Sequence, residues 1–365
     1  MQSNYFSTVS DPRVSGRCLH LLSDILLIGL CTYLTGGADY EDMHLFAKER
    51  GCELVDLVSL PNGAPSEDTF GRVFTRINPD ELLSALMAYG NDILSDLREK
   101  QIALDGKKLR GASPHSKGND GLYLMSAWVC ENCFCIAQEK VGDKSNEITA
   151  IPIVLENIDI TDSIVSIDAI GCQREIAETI VEKGGHYLLA VKENQEALLE
   201  DVSCAFKMHD GVDVRETFDI GHGRTETRRC SILPADKYLM EETLSAWKNL
   251  STIIRIECVR NTREAQTREV RYYISDENET SASYYLSLAR GHWGIENQLH
   301  WHLDVTFKED DSRVRNGYAP QNLSILRKLA LQIVSSQKDR LSLRKRLYKA
   351  ALDVRYLKKL LKMKL

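Results

Sequence analysis

Residues 101–105 read Gln-Ile-Ala-Leu-Asp, and residues 164–168 read Ile-Val-Ser-Ile-Asp. Each stretch is short, mostly apolar and ends on a carboxylate, which predicts a buried strand followed by an acid. In open sheets that contain parallel strands, functional groups gather at the carboxyl ends of the strands. The two stretches therefore predict a sheet that brings Asp105 and Asp168 to one edge.

The residues around these two strands predict the rest of a mixed sheet. Residues 123–129 and 134–141 predict a hairpin, and residues 186–191 predict a further strand. Helices are predicted at 148–155 and 173–182, where the apolar residues recur at helical spacing. This order of elements indicates an α/β fold with a mixed sheet flanked by helices.

Residues 196–270 fit that scheme less well. Short β-like pieces surround the sequence His-Gly-Arg-Thr-Glu-Thr-Arg-Arg at 222–229, which predicts an inserted, β-rich segment. The earlier pattern resumes with a strand at 270–274 and a long helix from 282 to about 303.

Residues 1–100 predict an all-helical N-terminal domain. Apolar residues recur at helical spacing in several stretches, and Asn-Pro-Asp-Glu at 78–81 is a strong helix-start signal. Arg72 and Arg76 lie one predicted turn apart, as in a short helix that reaches a major groove. This spacing makes the domain a candidate for contact with a DNA groove.

The C-terminal residues 336–365 predict a basic helix or tail. From 338 to 365, eleven Lys and Arg residues stand against two Asp residues, a net charge of +9 in a chain whose net charge is −7. Such a segment suits phosphate contact, with Lys345 and Arg346 as the expected DNA contacts. The alternative is an amphipathic helix whose apolar face packs on the protein, and the two are compatible. The negative net charge of the whole chain excludes a uniformly basic protein that coats nucleic acid.

The composition predicts a cytoplasmic protein associated with the nucleoid and no membrane partner. The most apolar stretch, residues 19–34, contains His20 and Asp24 and is too short to cross a bilayer. The first residues lack the pattern of a secretory signal. The ten cysteines are scattered, unlike those of a disulfide-stabilised scaffold.

Glu296, on the predicted long helix, is a third acid that can join Asp105 and Asp168. Hard divalent cations such as Mg²⁺ prefer carboxylate oxygens, and two such ions can promote phosphodiester chemistry. Among 53 acids, however, spacing alone is weak evidence. His292, Glu296 and His300 also recur at every fourth position, so a zinc site is an open alternative.

Four ordered stretches of sequence carry a family resemblance. They read Asp-Gly-Lys-Lys-Leu-Arg at 105–110, Lys-Ser-Asn-Glu-Ile-Thr-Ala-Ile-Pro at 144–152, Ile-Asp-Ala-Ile-Gly-Cys-Gln at 167–173 and His-Trp-Gly-Ile-Glu-Asn-Gln-Leu-His-Trp-His-Leu-Asp-Val at 292–305. They closely resemble the bacterial insertion-sequence transposases that include the H-repeat-associated proteins of Rhs elements. The resemblance covers nearly the whole chain.

The resemblance implies a DDE transposase whose RNase H-like catalytic core spans 101–335. It implies that Asp105, Asp168 and Glu296 are the catalytic acids and bind Mg²⁺, with Mn²⁺ able to substitute. The implied reaction is cleavage at the ends of the insertion sequence followed by strand transfer into target DNA. The implied partner is double-stranded DNA, on which the protein is expected to be a homodimer.

The sequence departs from the wider superfamily around the glutamate. Relatives carry Arg four residues before it and Lys seven after it, where this chain has His292 and Leu303. His292 is expected to take over a phosphate contact. Further DNA contacts are expected at Lys107, Lys108, Arg110, Arg224 and Arg228, and the site is expected to be bordered by Lys144, Asn146 and Glu147.

Two other functions remain open at this stage. One is a DNA-binding relic of a transposase without catalytic activity. The other is an RNase H-like nuclease that cuts without strand transfer. The presence of all three acids favours an active enzyme over a relic.

Overall fold

A computed structural model describes residues 5–93, 97–112, 122–141, 147–221, 223–278 and 281–362. Its strands are β1 Gln101–Leu109, β2 Leu122–Val129, β3 Phe134–Val141, β4 Ile164–Ile167, β5 His186–Val191, β6 Asp213–Gly221, β7 Arg224–Pro234, β8 Thr252–Asn261 and β9 Gln266–Ser275. Its α-helices are α1 Leu22–Leu34, α2 Tyr40–Arg50, α3 Glu67–Arg76, α4 Pro79–Ile93, α5 Glu147–Glu156, α6 Arg174–Glu182, α7 Glu196–Met208, α8 Ala235–Tyr238, α9 Glu241–Ala246, α10 Ala282–Gly294, α11 Ala319–Ser335, α12 Leu343–Leu352 and α13 Val354–Lys362.

The strands form one mixed sheet in the order β3-β2-β1-β4-β5-β9-β8-β7-β6. β4 runs parallel to β1 and β5, and every other pair of neighbours is antiparallel. β1 does not end at Asp105 as the sequence predicted. It continues to Leu109 because residues 105–109 keep pairing with β2 after β4 has stopped.

The predicted β-rich insertion is not a separate unit. β9 pairs with β5, and β8, β7 and β6 then continue the same sheet outward. The pairing of Leu189 with Ile274 joins the two parts through buried side chains. The insertion therefore widens the central sheet, with β6 as its outermost strand.

Helix α11 connects the N-terminal helices to the sheet. On one side, the buried Asn322 amide donates to the carbonyls of Phe74 and Ile77, at 2.8 and 3.0 Å. On the other side, Gln332 donates to the carbonyl of Cys135 in β3, at 2.8 Å. The N-terminal helices and the sheet thus share one hydrophobic core, although the sequence pattern changes near residue 100.

The C-terminal segment forms two helices, α12 and α13, that pack on the rest of the protein. Leu347 and Leu357 are buried, and Lys358 pairs with Asp56 at 2.5 Å. The apolar face expected of an amphipathic helix is therefore docked. No helix in the described part of the chain is long and apolar enough to cross a membrane.

A buried charge cluster joins β1 to α11 and to the segment before it. Nζ of Lys107 lies 2.6 Å from Asp304 and 3.1 Å from Glu309, which is only 2% exposed. Burial acts to raise the pKa of Glu309, but Lys107, Arg327 and Lys328 outweigh it and hold the pKa below its ordinary value. Glu309 is therefore ionised and balances buried cations.

Helix α10 approaches the sheet closely at Gly291. A methyl group there would overlap Oε1 of Gln101 in β1. Nε2 of Gln101 donates to Ser166 Oγ at 2.8 Å and to the Leu288 carbonyl at 2.7 Å. Ser166 Oγ is also 3.1 Å from Nδ1 of His292. This buried polar chain fixes the helix against β1 and β4.

The Glu309→Gln substitution tests the buried cluster. It leaves buried cations without their counter-charge, so the free energy of unfolding in urea should fall by about 3–5 kcal/mol. Asp311→Asn, an exposed neighbour, should change it by less than about 0.5 kcal/mol. Because the pKa of Glu309 is depressed, its contribution exists above the unfolded pKa of about 4.3 and is lost on acidification below it. Equal effects of the two substitutions would contradict the account.

The contact at Gly291 is tested by a matched pair of glycine substitutions. Gly291→Ala should displace Gln101 and lower stability by about 1–3 kcal/mol, since buried hydrogen bonds are lost. Gly294→Ala should be neutral or stabilising by up to about 1 kcal/mol, because alanine favours helix. A methyl group at Gly294 meets only the Gln298 side chain, at 3.9 Å or more. Thermal unfolding measures both, and equal changes in Tm would refute the close approach.

Candidate active site

Asp105 and Asp168 lie next to each other across two parallel strands. The last paired residues of β1 and β4 are Leu104 and Ile167, and each acid is the next residue along its strand. Asp168 also accepts a hydrogen bond from the backbone N–H of Ile170, at 3.2 Å, which holds the turn after β4. The edge predicted from the two strand sequences is therefore present.

Glu296 lies in a π-helical segment, Ile295–His300, that continues α10. The residues buried along this continuation are Ile295, Leu299 and Leu303, whereas Glu296 is exposed. Glu296 therefore does not lie on the face of this segment that packs against the core. The wider π turn changes which residues face the protein, and such turns occur frequently at functional sites.

The electrostatics show that the three predicted acids converge. Burial, together with the charges of Asp168, Glu296 and Glu147, raises the pKa of Asp105 to about 8. Glu147 begins α5 and lies against Gly106, where an added methyl group would overlap its carboxylate. The site therefore holds four acids from four parts of the chain.

The two histidines near Glu296 do not form a zinc site with it. His292 faces Ser166, and burial lowers its pKa to about 4. His300 lies with Nδ1 3.3 Å from Oδ2 of Asp105, and burial beside Lys328 lowers its pKa to about 3. Both rings are neutral at physiological pH. No three His, Cys, Asp or Glu side chains in the described ranges are already arranged to hold a metal ion.

The donor set nevertheless fits a hard cation better than it fits zinc. Mg²⁺ prefers carboxylate oxygens, and the acids around Asp105 repel one another without a cation that balances them. Asp105 is mostly buried, with 18% of its side chain exposed, so this repulsion is only weakly screened. A divalent cation between the carboxylates would remove the repulsion.

Three of the expected DNA contacts are engaged inside the protein. Lys107 belongs to the buried cluster with Asp304 and Glu309. The guanidinium of Arg228 pairs with Glu226 and with Asp219. That of Arg346 donates to the carbonyls of residues 334, 337 and 339. Their burial leaves these cations unable to reach a phosphate, so we correct the expectation for all three.

The other predicted contacts differ in their surroundings. Arg110 and Lys345 are exposed, and Lys108 is exposed and lies 5.2 Å from the ring centre of Tyr123. Arg224 is exposed but pairs with Glu226 at 2.6 Å. His292 is neutral, so it offers a hydrogen bond instead of a charge. Lys144 and Asn146, which are expected to border the site, lie outside the described residues.

Sequence reasoning missed the residues that support the acids. Gln101 and Ser166 are buried polar residues within apolar strands, and each uses its side chain to connect the sheet to α10. The sequence did contain a signal for them, because each is a polar residue in a stretch otherwise predicted to be buried. Buried polar groups need hydrogen-bond partners. The partners themselves lie far along the chain and leave no local pattern.

Comparison with known proteins identifies the family of this chain. Residues 96–333 match the family model described as "Transposase DDE domain", and residues 3–89 match one described as "DDE_Tnp_1-associated". "H repeat-associated putative transposase YhhI" of Escherichia coli K12 is 34% identical over 97% of this chain and 95% of its own length. "Putative transposase YncI" of Escherichia coli O157:H7 is 32% identical over 98% of this chain and 93% of its own length.

Two further similarities are more limited. "Inactive transposase YbfQ" of Escherichia coli K12 is 32% identical but covers only 20% of this chain and 86% of its own length. A solved piggyBac transposase synaptic complex with hairpin DNA covers 96% of this chain and 76% of that chain at 10% identity. Its TM-score of 0.42 is too low to carry an argument. The family match over most of the sequence decides the assignment: this chain belongs to the bacterial DDE transposases of the H repeat-associated type.

Proposed function

We propose that this protein is an active DNA transposase that cuts DNA at the ends of an insertion sequence and joins the resulting 3′ ends to target DNA. Asp105, Asp168 and Glu296 are the catalytic acids of this proposal. The observation that carries it is the convergence of their charges on buried Asp105, whose pKa is raised to about 8 by burial and these charges together. Structural carboxylates are usually paired with cations, whereas the charges of Asp168 and Glu296 act on Asp105 as repulsion.

The strand order supports an RNase H-like core around these acids. β3, β2 and β1 are antiparallel neighbours, and β4 and β5 follow as parallel neighbours. Asp105 lies in the central strand of these five and Asp168 directly after the next one. Glu296 comes from the helical continuation that Gln101 and Ser166 connect to the same strands.

In the proposed reaction, Asp105, Asp168 and Glu296 hold Mg²⁺, for which Mn²⁺ substitutes. When bound there, such ions polarise the phosphodiester, activate a water and stabilise the leaving oxygen. Buried Asp105 gives up its proton so that its carboxylate can serve as a ligand. Exposed Glu296 contributes its carboxylate from the helical segment that continues α10. Neutral His292 and His300 add no positive charge that would compete with the cation.

The proposed substrate is double-stranded DNA, with one protein copy at each end of the insertion sequence. Exposed cations near the site, such as Arg110, and those on the docked C-terminal helices, such as Lys345, would neutralise its phosphates. Arg72 and Arg76 lie exposed on α3 and are candidates for reading the DNA end.

Neutral substitution of the three acids tests the catalytic assignment. Asp105→Asn, Asp168→Asn and Glu296→Gln should each reduce cleavage of DNA that carries the sequence flanking the gene by at least about 100-fold. Binding of that DNA, measured by fluorescence anisotropy, should stay within a few-fold. Wild-type cleavage should require Mg²⁺ or Mn²⁺ without added zinc.

The same assay separates the alternatives. A wild-type chain that binds the DNA without cutting it is a relic, and one that cuts but never joins the 3′ end to a target plasmid is a nuclease. If Glu296→Gln cuts normally while Asp304→Asn does not, the third acid is misassigned. We expect Asp304→Asn to retain cleavage where the protein stays folded, because Asp304 pairs with Lys107.

The repulsion around Asp105 predicts a second, non-catalytic readout. An acid whose folded pKa of about 8 exceeds its ordinary 3.8 weakens the fold above pH 4, increasingly up to pH 8. At pH 8 in EDTA, Asp105→Asn should therefore raise Tm, by about 1–2 °C for each kcal/mol of destabilisation removed. Mg²⁺ should raise the Tm of the wild type but not of the variant.

The control for this readout is Asp311→Asn, which should leave both the Tm and its response to Mg²⁺ unchanged. A lower Tm for Asp105→Asn in EDTA, or an unchanged stabilisation by Mg²⁺, would refute the charge repulsion that supports the site.

A further inference from the structure

The outermost strand, β6, leaves one side of the sheet unpaired. It pairs with β7 over all nine of its residues, and no other described strand pairs with its opposite side. It contains no proline and no lysine, the residues that commonly protect a sheet edge. A regular free edge of this length is a template for a further strand.

One face of β6 is also apolar and open to solvent. Val214, Phe218 and Ile220 are 39%, 60% and 78% exposed and point to the same face, because they lie an even number of residues apart. The opposite face lies against α10, where Asp213 accepts from the backbone N–H of Ala282 at 2.7 Å and Asp219 pairs with Arg290 at 3.3 Å. The exposed apolar residues therefore lie on the side away from α10.

We propose that β6 pairs antiparallel with β6 of a second copy of this chain, about a two-fold axis at Thr217. In that register Val214 lies opposite Ile220 of the second copy, and Arg215 lies opposite Asp219. Both pairs occur twice, as a two-fold interface requires. The two β6 strands would then unite two nine-stranded sheets into one.

The sequence of β6 selects this register over its neighbours. Centring the axis on Arg215, Glu216 or Asp219 sets a like charge directly against itself, which is destabilising. Centring it on Phe218 sets Glu216 opposite Ile220 and leaves Arg215 opposite Gly221. The register at Thr217 sets Glu216 opposite Phe218 but matches an apolar pair and an opposite-charge pair over the full strand, whereas an axis at Val214 matches such pairs over only three residues. Asp219 already pairs with Arg228 at 2.6 Å, so the added pair contributes mainly to the choice of register.

A second copy suits this edge better than DNA does. Apolar side chains dominate its open face, and the nearby cations of Arg228 and Arg224 are paired with Glu226. The surface deepens the two-copy arrangement proposed above, and its test does not depend on catalysis. DNA that held two copies together would strengthen a weak interface by raising the effective concentration.

Sedimentation velocity of the full-length protein without DNA tests the proposal. The wild type should show a concentration-dependent dimer with a Kd below about 100 µM, as for a small interface. Phe218→Lys/Ile220→Lys should be monomeric throughout, because it replaces two of the three exposed apolar side chains of the open face by lysine, which protects sheet edges from pairing. The control Val55→Lys/Met240→Lys changes equally exposed apolar residues elsewhere, 75% and 65% exposed, and should dimerise like the wild type.

The register is tested by charge at Arg215. Arg215→Glu sets a carboxylate against Asp219 of the second copy and should weaken the dimer at least about tenfold, whereas Arg215→Lys should retain it. Circular dichroism checks that each variant is folded. A monomeric wild type, or a Phe218→Lys/Ile220→Lys variant that dimerises normally, would overturn the proposal. Either result leaves the cleavage assay and its interpretation unaffected.

Discussion

Repulsion among the carboxylates around Asp105 is the constraint on which the arrangement of this protein depends. Like charges gathered in a partly buried place separate unless the surrounding structure holds them. Asp105 and Asp168 are fixed because β1 and β4 are neighbours in the sheet. Glu296 is fixed less directly, through the contact of α10 with Gln101 and Ser166. The repulsion therefore lowers the stability of the fold at the proposed catalytic site.

The protein uses several of its cations to build this support instead of to bind DNA. Lys107 stands two residues after Asp105, yet it is turned into a cluster with Asp304 and Glu309. Lys328 lies beside the same cluster and bonds to Ser126 and Gln138 at the back of the sheet. These cations connect α11 to β1. The N-terminal helices, which pack on the other side of α11, are thereby coupled to the active-site strand.

Much of the fold could be predicted from local sequence pattern. The apolar stretches 164–168 and 186–191 gave strands because parallel strands are buried on both faces. The continuation of β1 beyond Asp105 could not be predicted, since it depends on pairing with β2. The π-helical turn in which Ile295 and Leu299 are buried and Glu296 is exposed has no local signature in the sequence.

The candidate site was predictable to a different degree. Asp105 and Asp168 followed from the ends of the predicted strands, Glu296 as a catalytic acid from the resemblance, and Glu147 from its place directly before the predicted helix at 148–155. The burial of Lys107 and Arg346 could not be read from the sequence, because a basic residue near an acid or in a basic tail also fits a solvent-exposed contact. Their partners, Glu309 for one and main-chain carbonyls for the other, become neighbours only in the folded chain.

The central claim is that the carboxylates around Asp105 form a divalent-cation site. The most direct measurement is anomalous diffraction at the manganese edge from crystals of the full chain soaked in Mn²⁺. The account predicts an anomalous peak in contact with Asp105 and Asp168, reached by Glu296 or Glu147, and no such peak in Asp105→Asn crystals. A wild-type crystal saturated with Mn²⁺ that shows no peak at Asp105, or one that persists in Asp105→Asn, would contradict it.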